Sequence, residues 1–278
     1  MRITKMHGIG NDYIYVNCFE ETVADPSRAA RELSDRHFWI GSDGLVLIKP
    51  SNEADFEMEM YNSDGSRAEM CGNAIRCVGK YVYDNAMTDK TSITIMTGAG
   101  IKTLSLCVEN GAVASVRVDM GEPELDSRLI PTLFETGQVV NEPLEVGGIN
   151  YLVTCVSMGN PHAVVFVKDT DEVDIERIGP LFERHKMFPK RINTEFLQIL
   201  SADKIKMRVW ERGAGETWAC GTGACAALVA SVLCGAAARK AELILRGGSL
   251  LIEWDEKTNR VFMTGGAKKV FDTDIDYE

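Results

Sequence analysis

Met70-Cys71-Gly72-Asn73-Ala74-Ile75-Arg76-Cys77 and Ala219-Cys220-Gly221-Thr222-Gly223-Ala224-Cys225-Ala226 are two versions of one motif. Each opens on Cys-Gly, and each follows a polar, glycine-bearing loop: Asn62-Ser63-Asp64-Gly65-Ser66-Arg67-Ala68-Glu69 before the first, Glu211-Arg212-Gly213-Ala214-Gly215-Glu216-Thr217-Trp218 before the second. A second matched pair lies upstream. Gly10-Asn11-Asp12 precedes the strand-like run Tyr13-Ile14-Tyr15-Val16, and Gly159-Asn160-Pro161 precedes His162-Ala163-Val164-Val165-Phe166. Asn11 stands 60 positions before Cys71 and Asn160 stands 60 before Cys220, so the motifs repeat together at an offset of 149 (220 − 71). Two short motifs recurring at one fixed spacing point to a duplicated unit.

The elements around the motifs read as an α+β unit used twice. Phe56, Met58 and Met60 alternate with acidic residues, as one face of a strand does, and Asn62-Ser63-Asp64-Gly65 then reads as a turn. Asn73 to Asn85 reads as a helix, followed by strands at 92–96, 102–108 and 112–119. The second half repeats the order, with a strand at 204–210, a glycine loop, and an Ala-rich helix from Gly221. That helix is apolar on nearly every side, which requires burial all round. The fold expected is two pseudo-symmetric lobes, each a curved, mostly antiparallel sheet wrapped around a central helix. The lobes divide at 1–118 and 119–267, with the tail 268–278 returning to the first and the active site in the cleft between them. Asp25-Pro26 opens a further helix through about Arg36. Asp174 opens another, which Pro180 should interrupt.

A formal charge of −11 over 278 residues argues against a nucleic-acid surface, since phosphate binding needs concentrated Lys and Arg. The N-terminus lacks the apolar core of a secretory signal. The least polar stretch, 221–238, is too rich in Ala, Gly, Ser and Cys for a membrane span of about 20 strongly apolar residues. Eight cysteines without an export signal suit a reducing, cytoplasmic compartment. No pair has Cys-x-x-Cys spacing, so neither a zinc site nor a redox motif is indicated. A structural metal held by Cys71, Cys77, Cys220 and Cys225 is disfavoured for the same reason. Cys18, Cys107, Cys155 and Cys234 lie in apolar stretches and read as core residues.

Cys71 and Cys220 each sit where a loop becomes a helix. There the first backbone N–H groups lack intrahelical partners and the dipole is positive. Such a site binds a carboxylate and lowers a thiol pKa. Two of them could clamp one carboxylate and set a thiol on either side of the neighbouring carbon. One thiolate would take the α-proton while the opposite thiol supplies a proton to the other face, and the helix-end N–H groups would stabilise the carbanionic transition state. That chemistry inverts a stereocentre with no cofactor.

The full set of motifs resembles diaminopimelate epimerases. The matching stretches are His7-Gly8-Ile9-Gly10-Asn11-Asp12, Tyr61-Asn62-Ser63-Asp64-Gly65-Ser66 leading to Cys71-Gly72-Asn73, Gly159-Asn160-Pro161-His162, Asn193-Thr194-Glu195, and Glu211-Arg212-Gly213-Ala214-Gly215-Glu216 leading to Cys220-Gly221-Thr222. The resemblance implies an isomerase that interconverts LL- and meso-2,6-diaminopimelate on the bacterial route to lysine and cell-wall peptide, a homodimer without cofactor or metal. It makes Cys71 and Cys220 the base and acid. Gly72, Asn73, Gly221 and Thr222 would hold the reacting carboxylate. Asn11, Asn62, Asn160, Asn193, Glu211 and Arg212 would bind the rest, with Arg212 on the distal carboxylate, and His162 and Glu211 would tune the thiols. Two positions depart from the family pattern: Gly44, where some members carry a substrate-contacting Gln, and Phe271, where some carry an interface Tyr. A related two-cysteine racemase or epimerase of the proline or hydroxyproline type is the alternative; it has no evident use for Arg212 and the Asn set.

Overall fold

The computed structural model describes residues 1–277, so Glu278 of the expected tail lies outside it. The first half of the chain forms strands β1 (Arg2–Gly8) and β2 (Asn11–Asn17), helix α1 (Pro26–Leu33), strands β3 (Gly44–Lys49), β4 (Phe56–Asn62) and β5 (Arg67–Ala68), helix α2 (Gly72–Asp84), and strands β6 (Ser92–Thr97), β7 (Gly100–Glu109) and β8 (Ala112–Gly121). The second half forms β9 (Glu142–Val146), β10 (Ile149–Ser157), β11 (Pro161–Phe166), α3 (Ile175–Glu183), β12 (Asn193–Ser201), β13 (Lys204–Glu211), β14 (Gly215–Glu216), α4 (Gly221–Leu233), β15 (Lys240–Leu245), β16 (Gly248–Trp254) and β17 (Val261–Gly265). Strand β18 (Lys268–Asp274) follows. These make an α+β fold of two compact units: Met1–Val118 with the segment from Thr264 onward, and Asp119–Met263. Residues 264–267 therefore cluster with the first unit, and β18 pairs antiparallel with β1.

Both units use the same strand pairings. In the first, β1 pairs antiparallel with β2, β2 parallel with β3, β3 antiparallel with β4, β4 parallel with β6, and β6 antiparallel with β7. In the second, β10–β11, β11–β12, β12–β13, β13–β15 and β15–β16 repeat that series of directions. The register repeats as well. Tyr13 lies opposite Gly44 and His162 opposite Asn193, each pair 149 residues from the other. The duplication seen in the motifs thus extends to individual backbone pairs.

Each sheet is covered on two faces. In the first unit α2 packs on β1, β2 and β7, while α1 covers β3 and β4. In the second, α4 packs on β10, β11, β12, β15 and β16, and α3 lies on β9, β12 and β13. α4 is buried continuously from Gly223 to Ser231, in keeping with its lack of a polar face; each fully buried Leu or Val there contributes about 1.5–3 kcal/mol. Among the described residues no helix is long and apolar enough to cross a membrane.

Three local expectations need correction. α1 starts as expected, with the Asp25 side chain accepting from Arg28 N at 2.9 Å, but it ends at Leu33 rather than near Arg36. The Asp35 carboxylate accepts from the backbone N–H groups of His37 and Phe38 at 2.7 and 2.9 Å, a local bond that competes with further helix. Pro180 does not interrupt α3. Its missing N–H leaves a single carbonyl, that of exposed Glu176, without its helical donor. Of the four cysteines expected in the core only Cys155 is buried; Cys18 and Cys234 are half-buried and Cys107 is exposed. Cys107 falls on the outward parity of β7, where burial alternates along the strand.

Candidate active site

Cys71 and Cys220 are the N-cap residues of α2 and α4, both in extended backbone conformation. The helices span the same 13 residues of the repeat. Gly72 and Gly221 are buried at their first positions, where free N–H groups face outward along the axis. A helix end of this kind can receive a carboxylate.

Beside Cys71 stand the amides of Asn11 and Asn73. The thiol donates to Asn11 Oδ1 at 3.3 Å, and Asn73 Nδ2 donates to the same oxygen at 3.3 Å. Asn11 Nδ2 donates to Asp43 Oδ2 at 2.7 Å. Buried Arg76 donates to Gly72 O and Asn73 Oδ1, both at 2.9 Å. Asn11 owes its place to the hairpin before it, where Gly8 pairs with Asn11 and Ile9 and Gly10 both have positive φ. That is the two-residue type I′ geometry, uncommon for a β-branched residue. Asn62 ends β4 opposite Gly44 and donates to Ser66 Oγ at 3.0 Å; it makes no recorded bond to Cys71. At Gly44 a Cβ would fall 2.0 Å from the Tyr61 carbonyl oxygen, so no side chain fits on this backbone path.

Around Cys220 the partners are carboxylates. The thiol is 5% exposed and donates to Glu211 Oε2 at 3.2 Å, with Thr222 Oγ1 at 3.6 Å. Thr217 donates to the other oxygen of Glu211. Glu195 is fully buried; its Oε1 meets His162 Nδ1 at 2.7 Å, and His162 Nε2 meets Asn160 Oδ1 at 3.0 Å. Glu195 Oε2 has no hydrogen-bond partner. Its carboxylate also presses on α4: a Cβ at Gly223 would lie 2.6 Å from Glu195 Oε1 and 3.1 Å from Cys220 Sγ. Asn193 is buried and accepts from the Arg212 backbone N–H at 2.8 Å. The Arg212 side chain is exposed and donates to the Lys190 carbonyl at 2.9 Å.

One electrostatic expectation is reversed. Burial, followed by the charges of Glu211 and Glu195, pushes the Cys220 thiol well above its ordinary value. The helix N-terminus pulls the other way, but two nearby carboxylates and loss of water outweigh it. Burial also raises Glu211. Cys220 is therefore held as a thiol, with the Glu211 carboxyl group 3.2 Å from its sulfur.

The residues picked out by motif thus fall into two clusters, Cys71–Asn11–Asn73 and Cys220–Glu211–Thr222, the second extended through Asn160 and His162 to Glu195. Motif reasoning missed Asp43 and Arg76 and assigned no role to Glu195, although Arg76 and Glu195 stand within quoted stretches and Asp43 stands beside Gly44. Among the described residues no group of three or more His, Cys, Asp or Glu side chains is placed to hold a metal.

The family model for diaminopimelate epimerase matches residues 3–125 and 154–270. A diaminopimelate epimerase of Acetivibrio thermocellus is 62% identical over 276 residues, covering 99% of both chains. One from Methanococcus maripaludis is 58% identical over 276 residues, covering 99% of this chain and 100% of its own. One from Leptospira biflexa is 49% identical over 278 residues, covering 99% of each. Among solved structures, a probable proline racemase of Agrobacterium radiobacter superposes with a TM-score of 0.73 at 14% identity, covering 100% of this chain and 93% of its own. A PhzF-family phenazine biosynthesis protein of Bacillus anthracis gives 0.72 at 16% identity, covering 100% and 99%. Both show a shared fold.

Proposed function

Because the chain belongs to the diaminopimelate epimerase family, we propose that it interconverts LL- and meso-2,6-diaminopimelate with Cys71 and Cys220 as its acid–base pair. The observation that carries this reading is the equivalent placement of the two thiols, each the N-cap of the matching helix in a duplicated unit. The N–H groups at Gly72–Asn73 and Gly221–Thr222 take the reacting carboxylate and stabilise the charge that develops as the α-proton leaves. In one direction the Cys71 thiolate accepts that proton and the Cys220 thiol delivers its own to the opposite face. Turnover leaves Cys71 protonated and Cys220 as thiolate; Glu211, raised by burial and 3.2 Å from the sulfur, returns a proton to Cys220 and takes one back from solvent, to which Cys71 releases its own. Asn11, Asn62, Asn160 and Asn193 bind the polar groups of the substrate, and Arg212 takes the distal carboxylate with its planar guanidinium. His162 acts on Cys220 through the Glu195 and Asn160 contacts.

The test starts from LL-substrate in heavy water, without added cofactor, at low conversion. New meso product carries solvent deuterium at the inverted carbon and remaining LL substrate carries little, because donor and acceptor are different residues. Early product that keeps the original α-hydrogen overturns the two-thiol mechanism. Turnover of proline or hydroxyproline in preference to diaminopimelate would favour the alternative substrate class. The same reading makes the enzyme a cytoplasmic homodimer, and sedimentation would test the dimer.

A further inference from the structure

We propose that Glu183 is a positioning residue for Arg212, its buried carboxylate tying down the hairpin tip that presents the guanidinium to the distal carboxylate of the substrate. This rests on the role given to Arg212 above. β13 and β14 form a hairpin closed by the pair Glu211–Gly215, with Arg212, Gly213 and Ala214 at its exposed tip. The Ala214 N–H donates to the Glu211 carbonyl at 3.1 Å, which shapes the turn but does not anchor it. Three bonds to residues 183–193 do that. The Gly213 N–H donates to Glu183 Oε1 at 3.2 Å, the Arg212 N–H to Asn193 Oδ1 at 2.8 Å, and Arg212 Nη1 to the Lys190 carbonyl at 2.9 Å. Glu183 is the last residue of α3 and is 4% exposed. Its Oε1 also accepts from Arg191 Nη1 at 3.3 Å, while Oε2 accepts from Trp210 Nε1 at 2.8 Å. A backbone N–H, a guanidinium and an indole N–H can only donate, so these three partners together call for a carboxylate.

The base of the hairpin meets the same helix. The Trp210 ring lies so close to α3 that a Cβ at Gly179 would strike it, and the far edge of the ring stands 3.7 Å from where a Cβ at Gly215 would fall. α3 thus holds the hairpin at the indole and at the tip. Glu211 is held separately, by its strand pairing with Gly215 and by the contacts of its carboxylate with Thr217 and Cys220. The tip can therefore loosen while the groups at Cys220 stay in place. The duplication supplies a second line of support. At the 149-residue offset, the counterparts of Glu183, Arg191 and Arg212 in the first unit are Ser34, Ser42 and Ser63. Ser34 and Ser42 are buried, and their hydroxyls meet each other at 2.9 Å. Glutamate and arginine occupy those two positions only in the unit whose hairpin tip carries an arginine.

Glu183→Gln keeps the size of the side chain but must turn an NH2 toward either the indole N–H or the Gly213 N–H. Hydrogen exchange reads the anchor without substrate: the Gly213 amide should exchange at least about tenfold faster, with the amides of β16 unchanged. In steady state, KM for diaminopimelate should rise about tenfold while kcat stays within about threefold, the pattern of binding lost away from the reacting carbon. In an Arg212→Ala background the same substitution should change kcat/KM by less than about twofold, because the group it acts through is gone. Additive losses overturn the proposal, since they mean that Glu183 serves stability alone. A fall in kcat with KM unchanged overturns it too, as does unchanged exchange at Gly213. Glu183→Asp keeps the charge and shortens the reach; it should give the same split, and it stands in if the amide variant does not fold. If Gly213 exchange quickens but the unmodified protein does not epimerise diaminopimelate, the anchor stands and the functional reading fails.

Discussion

The Cys220 thiol donates to Glu211 across 3.2 Å in a place that penalises charge on either. Replacing the carboxylate with its neutral isostere, Glu211→Gln, removes the repulsion that helps hold Cys220 above its ordinary value. The pH midpoint for alkylation of Cys220 by iodoacetamide should therefore fall, while epimerisation drops by about 10²-fold because the thiol loses its proton exchanger. A Cys220 midpoint that stays put would detach Glu211 from the thiol. The sequence marked Glu211 as a motif residue, but its consequence for Cys220 was not legible. Helix-end chemistry argues for a lowered thiol; only the fold shows that Glu211 and Glu195 lie close enough to reverse it.

Elements set these contacts through close approach. The first turn of α4 lies against Glu195, whose carboxylate is pinned by His162 at 2.7 Å, and Gly223 is what lets it lie there. In Gly223→Ala the new methyl would sit 2.6 Å from Glu195 Oε1, nearer than real Cβ contacts come, so either the carboxylate or the helix start must shift. Alanine is otherwise the better helix former by about 1 kcal/mol. The variant should consequently remain folded, with a melting temperature near that of the parent, and lose at least about tenfold in kcat from misplacement of the thiol. Full activity in Gly223→Ala would show that the α4 start is looser than this packing implies. The two long helices were legible from their glycine starts and apolar content. The outward parity of Cys107 was there to read, since Leu104 and Leu106 alternate with Thr103, Ser105 and Cys107 along β7.

Over the whole molecule, burial leaves several acids with protons they would shed in water. Cys77 is pushed up to about 11, and Cys155, Cys220, Tyr13 and Tyr15 are also raised, chiefly by burial. In the unfolded chain the thiols ionise near about 8.5 and the phenols near about 10. Groups with folded values above their unfolded ones contribute stability that is complete below about pH 8.5 and is lost as pH climbs toward the folded values. Calorimetry in reductant should show the melting temperature falling by several degrees between about pH 8 and 10.5. A flat profile would mean these groups are less sealed from water than the fold makes them. What the sequence by itself determined is the duplication, the two Cys-Gly helix starts and their 60-residue link to the upstream Asn. All of these are local patterns repeated at a fixed offset, visible without knowing what touches what. The tertiary structure alone decided which groups stand beside each thiol: amides at Cys71, carboxylates at Cys220. Asn11 comes from 60 positions before Cys71, and Glu195 is set on β12 beside His162 by the parallel pairing β11–β12, and no short-range period in a chain encodes a partner at such distances.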